Sequence, residues 1–469
     1  MKQQKPTLTS TFELAVSAAR AQAGGGEGAN AVRLAVALSG GLDSSALLHL
    51  AHACAQANGL ALYAFHVHHG LSPNADAWLA HCEQACAALG VTFEARRIQL
   101  QEQKKTGTEA AARKARYAAL GALCAEHSVP LLLTAHHQDD QAETVLLQLL
   151  RGSGPAGLSG MDAANAAPSL LNNATLVMVR PLLPASRKQL EAYVQQHGID
   201  HIHDESNDDP RYARNALRHT VMPSLEQHFP GFQERFARSA QHAQSATRLL
   251  TELAEQDLAA ALDGEHIDIA KLRSLSQDRS YNLLRHWFAT RGYNMPSTAW
   301  LAEMLTQLLE AKHDAQLLVT HPDCHVRRYR DRLHLTPKLG DLDGTREDQF
   351  DDKPGTEFRW NGEAELAFPA YGGVLHIEPA EEGFDADWLR CQKLLIEFRR
   401  GGEKLKLAAN RPTRPVKYHY QSLNIPAWER GRLPVVKSGK ELLFAAGIGM
   451  DCQHVGEGGG RLRLRWQAV

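Results

Sequence analysis

One short stretch near the amino terminus constrains the fold of this chain more than any other. An apolar run, Leu34-Ala-Val-Ala-Leu38, leads directly into Ser39-Gly-Gly-Leu-Asp-Ser-Ser45, and a helical pattern follows. Adjacent glycines permit backbone conformations that are closed to other residues, and they allow a ligand to approach the backbone closely. The first turn of the following helix offers unpaired N–H groups and the positive end of the helix dipole. The stretch therefore predicts a strand, an anion-binding turn and a helix.

The side chains of this turn indicate which anion it holds. Ser39, Ser44 and Ser45 add hydroxyl donors, whereas Asp43 adds a negative charge that suits phosphates only if a cation such as Mg²⁺ lies between. The turn therefore predicts a metal-nucleotide complex. A Walker loop requires GxxxxGK[ST], and the turn has no lysine, which argues against a kinase or GTPase. A turn that only joins a strand to a helix is the alternative interpretation.

Length, charge and cysteine usage limit the class of protein. The 469 residues, of which 43% are hydrophobic, suffice for about three domains. A net charge of −2 excludes a uniformly basic nucleic-acid binder but leaves room for local basic patches. No apolar run of roughly 18 residues and no signal-peptide core occurs, so we expect a cytoplasmic protein without a membrane partner. The seven cysteines form no CxxC pair, which argues against a disulfide framework or a zinc ribbon.

The first part of the chain alternates apolar runs with helical patterns, which is the rhythm of βαβ units. We expect a Rossmann-like, doubly wound, mainly parallel α/β sheet, in which ligands bind beyond the carboxyl ends of the strands. His66 and the run from His136 to Thr144 follow such ends, as does the glycine turn, and all should converge on one site. The predicted strands are 32–38, 60–67, 91–98, 130–135 and 176–180.

The remaining chain divides by pattern into further units. The stretch from Arg151 to Asn173 is rich in Gly, Ala, Asn and Ser and predicts a mobile loop or lid. A helical pattern follows, then a strand at 316–320 and a hairpin at 326–335, and short strands punctuated by Gly and Pro come last. The predicted units are a catalytic domain at 1–228, a mainly helical substrate-binding domain at 229–338, a linker at 339–354 and a small β-containing domain at 355–469.

An acidic cluster follows the fourth predicted strand. Asp139 and Glu143 stand four residues apart, as do His136 and Asp140, and like charges at that spacing destabilise a bare helix. Acids in a first helical turn favour the helix dipole, which is one explanation of Asp139 and Asp140. A divalent cation and a cationic substrate bound to the cluster are the other, and the position beside the glycine turn favours it.

Two arginine-bearing helices offer phosphate contacts. Arg113 and Arg116 share a helix face with Glu109 one turn before, which fits either a solvated ion pair or a phosphate clamp. The helix that carries Arg211, Arg214, Asn215 and Arg218 follows an acidic turn at 204–209. That basic face could pair with the acids of its own segment or grip an RNA backbone, with Asn215 reading a base edge.

The most basic region lies near the end of the chain. Seven basic residues stand there against the single acid Glu403, and Tyr418, Tyr420 and Trp428 follow. Aromatic side chains beside cations suit stacking on single-stranded or looped RNA, and a solvated, lysine-rich strand edge is the alternative. The seven residues are Arg399, Arg400, Lys404, Lys406, Arg411, Arg414 and Lys417.

Together these residues carry a family resemblance. Ser39-Gly-Gly-Leu-Asp-Ser44 resembles the SGGxDS loop of the N-type ATP pyrophosphatases, which split ATP between its α and β phosphates. The ordered set of motifs resembles the tRNA(Ile)-lysidine synthetases, and the later motifs resemble their long bacterial form. The set consists of His136-His-Gln-Asp-Asp-Gln-Ala-Glu-Thr144, Arg151-Gly-Ser-Gly154, Arg180-Pro-Leu-Leu183, Asp204-Glu-Ser-Asn207, Arg214-Asn-Ala-Leu-Arg218, Arg399-Arg-Gly-Gly402 and Ile425-Pro-Ala-Trp428.

The resemblance implies a reaction, its cofactors and its partners. It implies that ATP, with Mg²⁺, adenylates the carbonyl oxygen of the wobble cytidine of a CAU anticodon in tRNA(Ile), and that L-lysine then displaces AMP. It implies catalytic roles for Asp43, Arg113, His136, Asp139, Asp140 and Glu143, with Mg²⁺ at Asp43, Asp139 and Asp140. It implies ATP contacts at Ser39, Gly40, Gly41, Leu42, Asp43, Ser44, Ser45, His66, Arg116, Arg151 and Gly152. The expected tRNA contacts are Arg211, Arg214, Asn215, Arg218, Arg399, Arg400, Lys404, Lys406, Arg414 and Lys417.

Two other functions compete with this one. A tRNA-thiolating enzyme of the same superfamily usually carries paired cysteines, and this chain has no CxxC. A sensor that holds ATP without turnover needs no second substrate site, whereas the acidic cluster and the basic regions provide candidates for one. The sequence leaves open how Asp139, Asp140 and Glu143 divide their roles. It also leaves open the oligomeric state, with a homodimer as one option.

Overall fold

The computed structural model describes residues 7–23, 33–68, 70, 72–98, 108–204, 213–310, 317–338 and 354–468. Contacts divide the chain into two compact units, Met1–Glu252 and Leu253–Val469. The division falls within one long helix, Phe232–Ala261. No helix among the described residues is both long and apolar enough to cross a membrane.

The first unit is built on a six-stranded sheet of order β3-β2-β1-β4-β6-β5. All neighbours pair in parallel except β5, which runs antiparallel to β6. The fold-class prediction of a mainly parallel, doubly wound sheet is therefore confirmed. The strands are β1 (Arg33–Ala37), β2 (Ala61–His68), β3 (Thr92–Arg97), β4 (Leu131–Leu133), β5 (Ala164–Ala166) and β6 (Val177–Val179).

Helices cover both faces of this sheet because its central strands are apolar on both sides. Leu34 and Val36 of β1 point into one core and Ala35 into the other, as the two-residue period of a strand requires. The helices are α1 (Leu8–Ala23), α2 (Leu42–Asn58), α3 (Ala75–Leu89), α4 (Thr108–Glu126), α5 (Gln138–Leu150), α6 (Pro155–Leu158), α7 (Pro168–Leu171), α8 (Arg187–His197), α9 (Ala213–Ala216), α10 (Met222–His228) and α11 (Phe232–Ala261), with a π-helical turn at Leu217–Val221 between α9 and α10.

The predicted loop or lid at 151–173 is largely ordered. It contains α6, β5 and α7, and β5 pairs with β6 along its whole length. The Arg180 guanidinium fixes the segment by donating to Asp162 O and to Asn165 Oδ1, both at 2.7 Å. The small and amide side chains of this stretch predicted a loop. Pairing of β5 with β6 and the hydrogen bonds of the buried Arg180 order it instead.

The second unit begins with a helical layer on a small sheet. Trp287 and Phe288 of α13 lie in the core between the layers. The predicted hairpin at 326–335 is present as β10 and β11, and the sheet of order β7-β8-β11-β10-β9 adds two short strands that periodicity did not predict. The elements are β7 (Leu262–Asp263), β8 (His266–Asp268), α12 (Ile269–Ser274), α13 (Gln277–Thr290), α14 (Thr298–Glu310), β9 (Leu317–Thr320), β10 (Cys324–Tyr329) and β11 (Arg332–Pro337).

The final part of the second unit is mainly antiparallel β-structure. A five-stranded and a three-stranded sheet share one core, which includes Phe384, Ile396 and Leu464. The predicted linker at 339–354 lies almost wholly outside the described residues, and the three predicted boundaries between units stay predictions. The elements are β12 (Thr356–Phe358), β13 (Glu365–Phe368), β14 (Gly373–Asp385), α15 (Ala386–Cys391), β15 (Leu394–Phe398), β16 (Lys404–Leu405), β17 (Arg414–Pro415), α16 (Val416–Ser422), α17 (Ala427–Arg430), β18 (Pro434–Ser438), β19 (Glu441–Ala445), β20 (Gly449–Met450) and β21 (Val455–Ala468).

Candidate active site

A cavity of about 790 Å³ lies in the first unit, at the carboxyl ends of β1 and β4. These two strands are neighbours, and the chain leaves them towards opposite sides of the sheet order, which is where doubly wound folds bind ligands. The predicted convergence of strand ends is therefore present. Among the predicted site residues, those that line the cavity are Ser39, Gly41, Leu42, Asp43, Ser44, His66, Arg116, His136, Asp139, Glu143 and Arg218.

Hydrogen bonds inside the glycine turn fix its shape. Ser44 Oγ donates to Gly41 O at 3.0 Å and accepts from Ser39 N at 3.2 Å. Ser45 Oγ donates to Gly40 O, and so does the backbone N–H of Ile202 at 2.8 Å. Gly40 and Ser45 thus shape the turn from behind rather than line the cavity.

The two glycines differ in what requires them. Gly40 has a φ of +85°, and a Cβ there would lie 2.7 Å from Ile202 Cδ1. Gly41 has a φ of −73°, and a Cβ there would meet nothing closer than 3.7 Å. Glycine at 40 is therefore needed by the fold, whereas glycine at 41 leaves the cavity wall open to a ligand.

The turn presents the amino end of α2 to the cavity. Gly41 is the N-cap residue and offers no side chain to the first N–H groups of the helix, so these groups suit an anion. Asp43 lies in this first turn, and its buried Oδ1 has no hydrogen-bond partner among the described atoms. A buried carboxylate oxygen without a partner fits a cation in the cavity.

His136 and His137 lie between the end of β4 and the start of α5. His136 shares a hydrogen bond with Thr134 Oγ1 at 3.0 Å. Burial, aided by the charges of Arg180, Arg113 and Arg214, lowers the pKa of His136 to about 3 against the opposing effect of Asp140. His136 is therefore neutral near neutral pH, which suits a hydrogen-bonding role toward a nucleotide.

His137 is a cavity residue that the sequence analysis missed. It is the N-cap of α5, where its Nδ1 accepts from Asp140 N while Asp140 Oδ2 accepts from His137 N. Its ring lies 3.7 Å from Asp43 Oδ2 and 3.7 Å from Asp139 Oδ2. Burial opposes its protonation, but the adjacent carboxylate of Asp43 and those of Asp140 and Asp139 raise the pKa of His137. The sequence signal was an N-cap position with an acid three residues later.

The acids of α5 are paired with the arginines of the α9 helix and the π turn. Glu143 is 1% exposed and accepts from Arg214 Nε and Arg218 Nε, each at 2.7 Å. Asp140 Oδ1 accepts from the same two guanidinium groups at 3.0 and 3.2 Å. The predicted tRNA role of Arg214 and Arg218 is thus not favoured, because their guanidinium groups are committed to these carboxylates. Asn215 follows Arg214 on α9, and Arg211 lies outside the described residues.

The fit of Mg²⁺ can be tested on these contacts. Asp43 has its unpartnered Oδ1, and Asp139 Oδ2 accepts a hydrogen bond from Arg187 N at 2.8 Å. Asp140 has both oxygens engaged, so it fits a metal-binding role less well than predicted. The described residues hold no ready cluster of three or more metal-binding side chains. Mg²⁺ fits Asp43 and Asp139 if phosphates and water complete its shell, as is usual for nucleotide-bound Mg²⁺.

Other predicted residues lie around or away from the cavity. Arg113 and Arg116 lie over the ring of Tyr117, with guanidinium carbons 4.9 and 5.5 Å from its centre, and only Arg116 lines the cavity. Arg151 and Gly152 follow the carboxyl end of α5, whereas Asp139 and Asp140 lie in its first turn. That helix is about 20 Å long, so the structure does not bring Arg151 and Gly152 to the cavity, and we do not retain them as ATP contacts.

Further residues that the sequence analysis did not assign to the site also reach the cavity. A parallel bridge between Gly41 and Ile202 brings His201, His203 and Asp204 to its wall. Trp78 of α3 also lines the cavity, as does Arg187, a cation at the amino end of α8. A cation in the first turn of a helix opposes the helix dipole. This unfavourable position was the sequence feature that could have indicated a functional role for Arg187.

The predicted basic region lies in the second unit and forms a tight turn and a two-stranded hairpin. Glu403 accepts from Arg400 N at 2.8 Å and from Gly401 N at 3.0 Å, which orders the turn between Arg399 and Lys404. Arg400 and Lys404 are exposed, as is Lys417, whereas Arg399, Lys406 and Arg414 are half-buried.

Of the three aromatic residues that were predicted to stack on RNA, one has an exposed side chain. Tyr418 is 45% exposed, and Arg414 lies over its ring at 4.1 Å. Tyr420 is fully buried, with its hydroxyl donating to Ala446 O. Trp428 packs edge-on against Tyr329 and His334. The prediction of RNA stacking is therefore kept only for Tyr418.

Comparisons with known proteins agree with this arrangement. Family models match residues 11–225 as a PP-loop domain, 267–334 as a TilS substrate binding domain and 394–466 as a TilS substrate C-terminal domain. The chain is similar to the tRNA(Ile)-lysidine synthase of Ralstonia nicotianae, with 42% identity over 91% of each chain. It is similar to that of Burkholderia pseudomallei, with 41% identity over 92% of this chain and 93% of the relative.

A solved structure is similar over part of the chain. It is the U34-tRNA thiolase NcsA from Methanococcus maripaludis with its [4Fe-4S] cluster, at 16% identity and a TM-score of 0.38, covering 50% of this chain and 79% of that one. The sequence relatives match at far higher identity and over nearly the full length of both chains. On that ground the chain belongs to the tRNA(Ile)-lysidine synthase family.

Proposed function

We propose that this protein joins L-lysine to the wobble cytidine of the CAU anticodon of tRNA(Ile), with conversion of ATP to AMP and pyrophosphate. The observation that carries the proposal is the single cavity lined both by the phosphate-binding turn and by the acids of α5. An ATP site and a site for an amine nucleophile are thereby adjacent. Membership of the tRNA(Ile)-lysidine synthase family supports the choice of substrates.

In the first step, the carbonyl oxygen of the base attacks the α-phosphorus of ATP. The amino end of α2 and the serine hydroxyls of the turn hold the phosphates, and Asp43 and Asp139 would hold Mg²⁺. Bound Mg²⁺ would neutralise charge on the departing pyrophosphate. Neutral His136 and the buried ring of His66, whose Nδ1 donates to Leu38 O at 2.9 Å, orient the nucleotide.

In the second step, the side-chain amine of lysine attacks the activated carbon of the base and AMP leaves. The amine has a solution pKa of about 10.4, so it must lose a proton as it attacks. We assign that proton to Glu143, which lines the cavity one helical turn beyond Asp139. Arg214 and Arg218 hold the Glu143 carboxylate in place.

The basic turn and hairpin of the second unit are proposed to hold tRNA. Arg400, Lys404 and Lys417 offer exposed charge for phosphates, and Tyr418 offers an exposed ring. These contacts would fix the position of the tRNA rather than read its sequence.

An omission experiment tests the proposal. ATP labelled separately on the α and γ phosphates is mixed with the protein, Mg²⁺, L-lysine and a tRNA(Ile) transcript with a CAU anticodon. We expect AMP and pyrophosphate in equal amounts only in the complete mixture. When lysine is replaced by arginine, pyrophosphate should be released at most once per tRNA, and AMP should not be released. Release of ADP and phosphate, or full turnover without tRNA, would reject the assignment.

A further inference from the structure

Arg187 occupies a position in the cavity that neither the sequence motifs nor the reaction scheme explains. It is the first residue of α8, and its backbone N–H donates to Asp139 Oδ2 at 2.8 Å. Its side chain lines the cavity, with Nη1 4.0 Å from Asp43 Oδ2. One residue therefore touches both carboxylates that are proposed to hold Mg²⁺, through its backbone on one side and its guanidinium on the other.

Local helix chemistry accounts for only part of this arrangement. Arg187 Nε donates to Glu191 Oε1 at 3.1 Å, one turn along the same helix. An exposed pair of this kind stabilises a helix only slightly, and the cation also opposes the positive end of its own helix. The contact with Glu191 uses Nε of the guanidinium group, whereas Nη1 is directed toward Asp43. An anion bound in the cavity would be a hydrogen-bond acceptor for this side of the guanidinium group.

The other arginines near the cavity each contact another part of the protein. Arg214 and Arg218 bind Glu143 and Asp140. Arg180 binds backbone and amide oxygens of the 162–165 segment. Arg113 and Arg116 lie over the ring of Tyr117, and of the two only Arg116 lines the cavity.

We propose that Arg187 is a catalytic residue of the first step and that it binds the β and γ phosphates of ATP. As the base oxygen bonds to the α-phosphorus, the bond from that phosphorus to the bridging β-phosphate oxygen breaks, and the electron pair leaves with pyrophosphate. The guanidinium fork, beside Asp43, donates to the oxygens on which this charge collects. The claim that Arg187 stabilises the departing pyrophosphate rests on the proposed function. The claim that Arg187 forms an anion-binding subsite does not.

Binding measurements with pyrophosphate and AMP distinguish a subsite for the β and γ phosphates of ATP from a subsite for the α phosphate. Magnesium pyrophosphate and AMP are titrated calorimetrically into the full chain, its Arg187→Gln variant and its Lys188→Gln variant. Lys188 is the matched control, because it lies in the same helical turn, is exposed and does not line the cavity. Charge-assisted hydrogen bonds of this strength predict a loss of about tenfold or more in pyrophosphate affinity for Arg187→Gln. AMP affinity should change less than about twofold, and Lys188→Gln should leave both unchanged.

Thermal denaturation checks that Arg187→Gln is folded, and Arg187→Lys should recover part of the pyrophosphate affinity because it restores the charge without the fork. Unchanged pyrophosphate binding by Arg187→Gln would overturn the inference, and so would equal losses for pyrophosphate and AMP. These results are independent of lysidine formation. A wild-type protein that makes no lysidine, yet loses pyrophosphate selectively in Arg187→Gln, would reject the proposed function and retain the subsite.

Discussion

Gly40 and Gly41 are adjacent in the chain, yet the structure requires a glycine at only one of them. Gly40→Ala would force a side chain into the left-handed region at φ +85° and against Ile202, so we expect a loss of about 1–3 kcal/mol in the free energy of unfolding. Gly41→Ala should keep the wild-type stability but weaken Mg²⁺-ATP binding, because its Cβ narrows the phosphate side of the cavity. Denaturant unfolding and ATP titration of both variants measure these effects. Equal destabilisation by the two substitutions would contradict this interpretation.

Glu143 carries the proposed second step, and its amide isostere separates that step from the first. Glu143→Gln keeps the size of the side chain but removes the proton acceptor, so we expect tRNA carrying AMP to accumulate when ATP and lysine are supplied. The amount of lysidine formed per minute should fall by about 10²-fold or more. Chromatography of the tRNA after a short reaction measures both species. Lysidine formation at the wild-type rate would remove Glu143 from its assigned role.

Some of these residues could be found from the sequence and others could not. The glycine turn, Asp43 and the acids after β4 were predictable because each follows an apolar strand. His137 and His136 are neighbours of the same type, and only the geometry of the junction between β4 and α5 shows that both face the site. The partners of Arg214 and Arg218 depend on which helix packs against them, and one sequence does not reveal that.

At the scale of elements, the site depends on a bond network between α5 and the helix that carries the π turn. Arg218 belongs to the π turn Leu217–Val221, a rare geometry that often occurs at functional sites. Its fork spans Asp140 and Glu143. The network therefore joins the acidic helix to the segment that the sequence analysis had expected to grip RNA.

Removal of Arg218 tests this role. We expect Arg218→Ala to lower the free energy of unfolding by on the order of 2 kcal/mol, because it leaves the buried Glu143 with one arginine. Arg218→Lys should lose less, and affinity for tRNA should stay within about twofold of wild type in both variants. Urea denaturation and filter binding provide the two measurements. Wild-type stability combined with weak tRNA binding would restore the original RNA-contact prediction.

The strands of the first sheet were predicted closely, whereas the segment after α5 was not. Parallel strands that are buried on both faces leave a strong apolar signal. The short strand β5 has none, since Ala164-Asn-Ala166 is held by pairing with β6 and by Arg180. The short strands β7 and β8 were missed for the same reason, because two or three residues cannot show a period.

At the scale of the whole molecule, acid stability follows from buried neutral histidines. Burial, with the neighbouring His266 and Arg332, lowers the pKa of His334 to about 3. Above about pH 6.5 the ring is neutral in both folded and unfolded chains. Below that pH the unfolded chain takes up the proton first, so stability falls by about 1.4 kcal/mol per pH unit until the folded pKa is reached.

A variant isolates the contribution of His334. His334→Phe keeps a ring in contact with His266 and Trp428 but cannot titrate. We expect its free energy of unfolding to fall less steeply than that of the wild type between pH 6.5 and about 5. Guanidinium unfolding at several pH values measures the slopes, and identical slopes would show that other groups govern acid stability.

The basic turn and hairpin should control tRNA affinity rather than chemistry. Replacement of Arg400, Lys404 and Lys417 by Ala removes three exposed charges, so we expect weaker tRNA binding and a shallower dependence on salt. Binding of ATP should stay unchanged. A salt series of filter-binding curves measures the slope, and curves that superimpose on those of the wild type would place the RNA contacts elsewhere.

The proposed function requires that one cavity bring ATP and lysine to the same cytidine of the tRNA. Mass spectrometry of nucleosides from tRNA(Ile) treated with the protein, ATP, Mg²⁺ and isotopically labelled L-lysine tests it most directly. We expect one cytidine per tRNA, at the first anticodon position, to be heavier by the labelled lysine less one water. An unmodified cytidine, or a cytidine that carries sulfur, would contradict it.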